Sequence, residues 1–294
     1  MPCWPKKAPS RLTLPKTAEA FAPAKVNLTL HVTGQRGDGY HLLDSLVVFA
    51  GVGDKVRAEA RPVTTLRVTG PRAAGVPPGE DNLVLRAAKL ARPAVSAAIT
   101  LTKILPAAAG IGGGSSDAAA CLRVLSRLSG GELPDDAALV TLGADVPACV
   151  RGGVLRLRGV GDRLDPWPAL PPLWLVLVNP GVAVPTPQVF KALARRDNTA
   201  MTEPFPQGHD LERWLAWLSQ QRNDLQAPAI SIAPVIGDVL ARVADTEGCA
   251  LSRMSGSGAT VFGVYVDQAK AEAAAHGIAQ DQPGWWCVAA PVLT

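Results

Sequence analysis

Between Pro106 and Asp117 the chain reads Pro-Ala-Ala-Ala-Gly-Ile-Gly-Gly-Gly-Ser-Ser-Asp, with Gly110, Gly112, Gly113 and Gly114 inside five positions. Glycine reaches positive φ without a Cβ penalty and lets a backbone come close to a ligand. A segment with helical spacing follows at once from Ala118. The first N–H groups of a helix have no partner within it. A glycine loop running into a helix start is therefore an anion cradle, most naturally for a phosphate. Two better-known phosphate motifs do not fit. The P-loop needs Lys-Ser/Thr after its last glycine, and Gly114 is followed by Ser115-Ser116. The dinucleotide fingerprint would need its third glycine where Ser115 stands. Taken alone, the loop also reads as a flexible turn in which Ser115 or Ser116 caps a helix and Asp117 offsets its dipole.

The elements that must hold this loop follow from apolar spacing. Ala22 to Val32 alternates as a strand, with Val26, Leu28, Leu30 and Val32 on one face. Gly34 to Gly39 is a turn cluster, and Tyr40-His41 lead into an apolar run that ends at Gly53-Asp54. Shorter strands are predicted over Lys55 to Ala60 and Thr64 to Thr69, and a helix from an Asn82 cap to about Ala91. Ala97 to Ile104 enters the glycine loop as a strand, and Asp117 to Leu128 leaves it as a helix closed by Gly130-Gly131. A short helix over Asp135 to Leu142 leads to Gly143-Ala-Asp-Val-Pro147. Four prolines between Asp165 and Pro172 mark the best domain boundary.

Beyond it, Leu173 to Val178 reads as a buried strand, Thr186 to Leu193 as a short helix, and Asp210 to Ser219 and Ile236 to Thr246 as further helices. Cys249 to Met254 and Thr260 to Val266 are strands around a tight loop, Ser255-Gly-Ser-Gly258. A helix over Ala269 to His276 and a strand over Trp285 to Val292 follow. This order predicts an α+β chain in two lobes.

Composition limits the function. The 294 residues are 48% hydrophobic and 18% charged, enough for a sizeable core and unlike a disordered chain. The net charge of +4 is spread out, which suits a small anionic substrate and argues against nucleic acid. Cys3, Cys121, Cys149, Cys249 and Cys287 show no zinc-like spacing and read as reduced, mostly buried thiols of a cytoplasmic protein. No apolar run approaches the roughly 20 residues of a membrane span. Residues 1–21 carry Lys6, Lys7, Arg11 and Lys16 among four prolines, lack the apolar stretch of a secretory signal, and are expected to be disordered or loosely docked.

Taken together, Ala24-Lys-Val-Asn-Leu28, Gly39-Tyr-His-Leu42, Pro106 to Ala120, Gly143-Ala-Asp-Val-Pro147, Asn179-Pro with Thr186 to Phe190, Asn223-Asp-Leu225 and Met254 to Thr260 resemble the GHMP kinases. They are most similar to the members that phosphorylate a cytidine-diphosphate-linked methylerythritol in isoprenoid precursor synthesis. The resemblance implies an N-terminal lobe of the ribosomal protein S5 domain 2-like type over 22–165 and a ferredoxin-like lobe over 173–294.

It also implies that Pro106, Ala107, Ala108, Ala109, Gly110, Ile111, Gly112, Gly113, Gly114, Ser115 and Ser116 wrap the phosphates of ATP. Mg2+ would accompany the ATP, with Ser115 or Ser116 offering it a hydroxyl. Asp145 becomes the expected base for the acceptor 2-hydroxyl, beside its other reading as a helix cap, and Lys25 its charge partner. Asn27 falls to the substrate. Tyr40, His41 and Phe190 are implied as readers of the cytosine, although without the family they read as core aromatics and a surface histidine. Ser255, Gly256, Ser257 and Gly258 form a second backbone nest for the substrate diphosphate or the moving phosphoryl group.

Homoserine or mevalonate as acceptor keeps the fold and changes the alcohol; a non-catalytic nucleotide-binding protein keeps the fold and loses the reaction. The expected protein is a monomer or weak homodimer without a nucleic-acid or membrane partner.

Overall fold

The computed structural model describes residues 14–167 and 170–294. The first lobe runs β1 (Thr17–Asn27), β2 (His31–Gln35), β3 (His41–Ala60), β4 (Thr65–Thr69), α1 (Leu83–Leu90), β5 (Ala97–Thr102), α2 (Gly113–Ser129), α3 (Asp136–Val140), α4 (Val146–Arg151), β6 (Leu155–Gly159) and β7 (Arg163–Pro166). The second runs β8 (Trp174–Asn179), α5 (Thr186–Lys191), α6 (Leu211–Ser219), α7 (Gln226–Ile232), α8 (Val235–Ala244), β9 (Leu251–Met254), β10 (Val261–Tyr265), α9 (Gln268–Asp281) and β11 (Trp286–Leu293).

The long strand β3 is the spine of the first lobe. Its first half pairs with β2 and β6, and its second half with β1 and β5. Gly53 and Asp54, expected to end a strand, instead lie within β3. The β1–β3 register slips between Pro23 and Ala24, opposite Gly53. A Cβ on Gly53 would stand 2.2 Å from the Ala22 carbonyl oxygen, so only glycine fits this bulge. Thr17 to Phe21, placed by sequence in a loose extension, is the start of β1 and pairs with Lys55 to Glu59. Residues 1–13 of that extension lie outside the described residues.

In the second lobe the strands lie in the order β11-β8-β10-β9, all antiparallel, the 4-1-3-2 order of a ferredoxin-like sheet. The lobes are not separate. Val292 and Leu293 of β11 pair with Ala50 and Phe49 of β3. One buried cluster also draws Val26, Leu46, Leu105 and Ile111 from the first lobe and Leu175, Leu177, Phe262 and Val264 from the second. Helices α1 and α2 close the far side of the first sheet, where Val84, Ala87, Leu122 and Leu125 pack on Val56, Ile99 and Leu101.

Four free cysteines are described, of which Cys121 and Cys149 are buried, and burial pushes both of those thiols up to about 12. No helix among the described residues is long and apolar enough to cross a membrane.

Candidate active site

The site lies where the cradle meets β1 and the second glycine loop. The Lys25 N–H donates to the Ile111 carbonyl at 2.9 Å, fastening the cradle to β1. The Lys25 ammonium is 2.9 Å from Asp145 Oδ1 and donates to Asn27 Oδ1 at 3.1 Å. Its side chain is 4% exposed, whereas that of Asp145 is 42% exposed. The lysine is therefore held in place from behind, and the carboxylate keeps a face toward the cavity. Asp145 occupies the N-cap position of α4 but makes no capping bond with its side chain. Its carboxylate goes to Lys25 instead, which disposes of the capping alternative.

Two glycine loops press together backbone to backbone. Gly110 has φ +73°, and a Cβ there would lie 2.6 Å from the Ser255 carbonyl oxygen and 2.7 Å from that of Gly258. Gly256, at φ +56°, would in turn place a Cβ 2.7 Å from the Gly110 oxygen. The Ser255 hydroxyl joins them: it donates to Gly110 O at 3.0 Å and accepts from the Asn27 N–H at 3.1 Å. Asn27 Nδ2 is tied to Ser45 Oγ at 2.8 Å.

A cavity of about 1170 Å³ opens over this junction. Lys25, Asn27, Asp145, Ala108 to Gly110, Gly112 to Ser115, Gly256 and Ser257 line it, and Tyr40, His41 and Phe190 also line its wall. The other expected site residues do not reach it. Ile111 is buried in the core that spans the lobes. The Ser116 hydroxyl is committed to the Pro23 carbonyl at 2.7 Å. Ser255 is fully buried as the joint between loops, and Pro106, Ala107 and Gly258 lie off the lining.

His41 and Phe190 stack, with ring centroids 4.6 Å apart and planes 25° from parallel. His41 Nε2 is buried without a hydrogen-bond partner. Burial lowers the pKa of this imidazole, and the charge of Arg196 lowers it further, so at neutral pH the ring is uncharged. Such a ring has one nitrogen to donate and one to accept, which suits the polar edge of a base. Tyr40 is 65% exposed at the cavity mouth. Arg196 and Lys191 also line this wall; nothing in their spacing marks them in the sequence.

Asn223 holds the second glycine loop. Its Nδ2 donates to the carbonyls of Met254 and Gly256, each at 2.8 Å, while its Oδ1 accepts from the Leu225 N–H at 2.9 Å. The neighbouring Asp224 accepts from the Val32 N–H and pairs with Arg222. Asn223 and Asp224 thus brace lobe elements from outside the cavity, while Leu225 of the same motif lines it. Asn223→Ala strips the donor from two carbonyls and is expected to cost about 1–3 kcal/mol of stability. Urea melts of the two proteins measure this, with an unchanged midpoint as the contrary result.

Among the described residues no group of three or more His, Cys, Asp or Glu side chains could hold a metal ion. A metal here would be bound mainly by phosphate and water, with Ser115 on the cavity lining to offer a hydroxyl.

Comparison with known proteins gives the family. The GHMP kinases N terminal domain matches residues 82–153, and the GHMP kinases C terminal domain matches 190–283. The 4-diphosphocytidyl-2-C-methyl-D-erythritol kinase of Cereibacter sphaeroides is 58% identical over 94% of this chain and 99% of its own length. The protein of that name from Ruegeria pomeroyi is 53% identical, again over 94% and 99%. A crystal structure of 4-(cytidine 5'-diphospho)-2C-methyl-D-erythritol kinase superposes with a TM-score of 0.77 at 34% identity, over 94% of this chain and 100% of the other. A homoserine kinase from Cytophaga hutchinsonii shares the fold, with a TM-score of 0.67 at 17% identity over 96% of each chain. With its cradle, ion pair and ferredoxin-like lobe in place, the chain belongs to the GHMP kinases, within the 4-diphosphocytidyl-2-C-methyl-D-erythritol kinase family.

Proposed function

We propose that the protein transfers the γ-phosphoryl group of ATP to the 2-hydroxyl of 4-diphosphocytidyl-2-C-methyl-D-erythritol, giving the 2-phosphate and ADP. The observation that carries this reading is the half-exposed Asp145 carboxylate, 2.9 Å from the buried Lys25 ammonium and on the same cavity as the glycine cradle. Phosphoryl transfer asks for little covalent chemistry from a protein; it asks for positioning and for charge where charge develops. Asp145 orients the acceptor hydroxyl and takes its proton. Lys25, fixed by Asn27, offsets charge on the developing alkoxide and on the moving phosphoryl oxygens. The cradle binds phosphate with backbone N–H groups and the start of α2, and so works without a P-loop lysine. Mg2+, held by phosphate oxygens and the Ser115 hydroxyl, would neutralise further phosphate charge. Gly256 and Ser257 face the diphosphate side of the acceptor.

Base recognition separates this acceptor from homoserine and mevalonate, which give a stacked His41–Phe190 pair nothing to hold. Phe190→Ala is expected to raise KM for the cytidine substrate about tenfold, the usual scale for one stacked base, with KM for ATP within about twofold. ADP release with the cytidine substrate, free methylerythritol phosphate, homoserine and mevalonate, run side by side, tests the whole reading. Turnover of all four at similar kcat/KM would sink it. The cytoplasm, and a monomer or weak dimer, are the setting that fits this chemistry and the reduced thiols.

A further inference from the structure

The cradle is clipped at its base by buried ions that lie outside the cavity. Lys103 stands three residues before Pro106, and Asp117 directly follows Ser116, so the two bracket the loop. Lys103 Nζ donates to Asp117 Oδ2 at 2.8 Å, and each residue is 3% exposed. A third member comes from β3: fully buried Asp54 pairs through Oδ2 with the same ammonium. Through Oδ1 it accepts the N–H groups of Ile104 and Leu105, at 2.5 and 2.9 Å. Asp54 thus holds the strand end that enters the cradle, Asp117 belongs to the helix that leaves it, and one lysine joins them. Gly113 lies directly above, where a Cβ would stand 3.7 Å from Lys103 Nζ and 3.9 Å from Asp54 Oδ2.

We infer that Lys103 is a positioning residue for ATP: by holding Asp117 to Asp54 it fixes the span of the cradle and sets nucleotide affinity without touching the nucleotide. A loop with four glycines in five positions has much backbone freedom to lose, and its N–H groups bind phosphate only when they converge. A clip across the loop ends removes that freedom before the ligand arrives, which is how preorganisation raises affinity. Lys103 keeps its charge in this buried setting. Desolvation works against the ammonium, but the pull of Asp117 and Asp54 outweighs it and raises the pKa. The inference rests on the cradle being the ATP site.

Lys103→Met alone strands two buried carboxylates and is expected to fold poorly. The double variant Lys103→Met/Asp117→Asn removes one of those charges and leaves Asp54 its two backbone donors, so it is the form to test. Its KM for ATP is expected to rise about tenfold, with KM for the cytidine substrate within about twofold, and Lys103→Arg is expected to stay within about threefold of wild type. A merely structural brace would lower the melting temperature without separating the two KM values. An ATP KM at the wild-type value in the folded double variant, or an equal rise in both KM values, would overturn the inference. Wild-type protein that binds no ADP by calorimetry would instead remove the cradle reading, and this inference with it.

Discussion

Asp145→Ala lowers kcat at least about 10²-fold and leaves the Kd for ATP within about twofold: that is the expected result of removing the base while the cradle stays whole. Asp145 makes no capping bond, so its loss leaves α4 with the same backbone bonds. What it removes is the carboxylate partner of Lys25 and, in the proposed mechanism, the acceptor for the proton of the 2-hydroxyl. Lys25 keeps Asn27 as a hydrogen-bond partner, which limits the structural cost. Asp145→Asn is the sharper variant, because the amide preserves shape and can still touch Lys25 but cannot take a proton. Single-turnover measurements at saturating ATP isolate the chemical step. Near-normal turnover in either variant would exclude Asp145 as the base.

The second large effect belongs to a residue with no side chain. Gly110→Ala is expected to weaken ADP binding by about 10²-fold or more and to lower the melting temperature, because the new Cβ has no space and no tolerable φ. Its φ of +73° already costs an L-residue about 1–2 kcal/mol. The atoms it would strike, the oxygens of Ser255 and Gly258 and the nitrogen of Gly258, are all backbone at 2.6–2.8 Å. A rotamer change cannot relieve such contacts; the loops must part. Gly237→Ala within α8 is the control, since a Cβ there meets only Ile230 at 3.8 Å. Helix propensity makes that change neutral or stabilising by up to about 1 kcal/mol. Calorimetric titration with ADP and thermal melts of both variants separate local loop damage from general fragility. Wild-type ADP affinity in Gly110→Ala would show that the contact between loops is not needed to shape the cradle.

Much of this site is legible in the sequence where chemistry and backbone needs coincide. The cluster from Gly110 to Gly114 signals a phosphate cradle and a nearby helix start; α2 begins at Gly113, four residues before Asp117, because the glycines themselves form its first turn. Apolar runs between turn signals mark the four strands of the second lobe along the chain, while their lateral order in the sheet comes only with the family resemblance. The errors have physical causes. Gly53-Asp54 resembles a turn, but Gly53 accommodates a bulge and Asp54 is drawn inward by Lys103. Thr17 to Phe21 looks loose beside its prolines, but β3 offers it an edge to pair with. Helix α7, with Pro228 in its first turn, is hidden behind the turn-like Asn223-Asp224. Ser255 reads as a substrate contact, whereas the close approach of two loops turns its hydroxyl inward. Lys103 carries no local signal at all; its importance comes from two partners 49 and 14 residues away.

The last strand has a further consequence, for the timing of synthesis. β11 pairs first with β8 and then, through Val292 and Leu293, with β3. A ribosome releases the first lobe with its cradle, Lys25 and Asp145 while the loop that backs Gly110 is still unmade, and domains generally fold in that order. The assembled site is therefore expected late in synthesis, when the chain has run through to β11 and the second lobe can lock against the first. A nascent or truncated chain that stops short of this strand would display the phosphate loop and the ion pair, yet hold no assembled site in which to consume ATP.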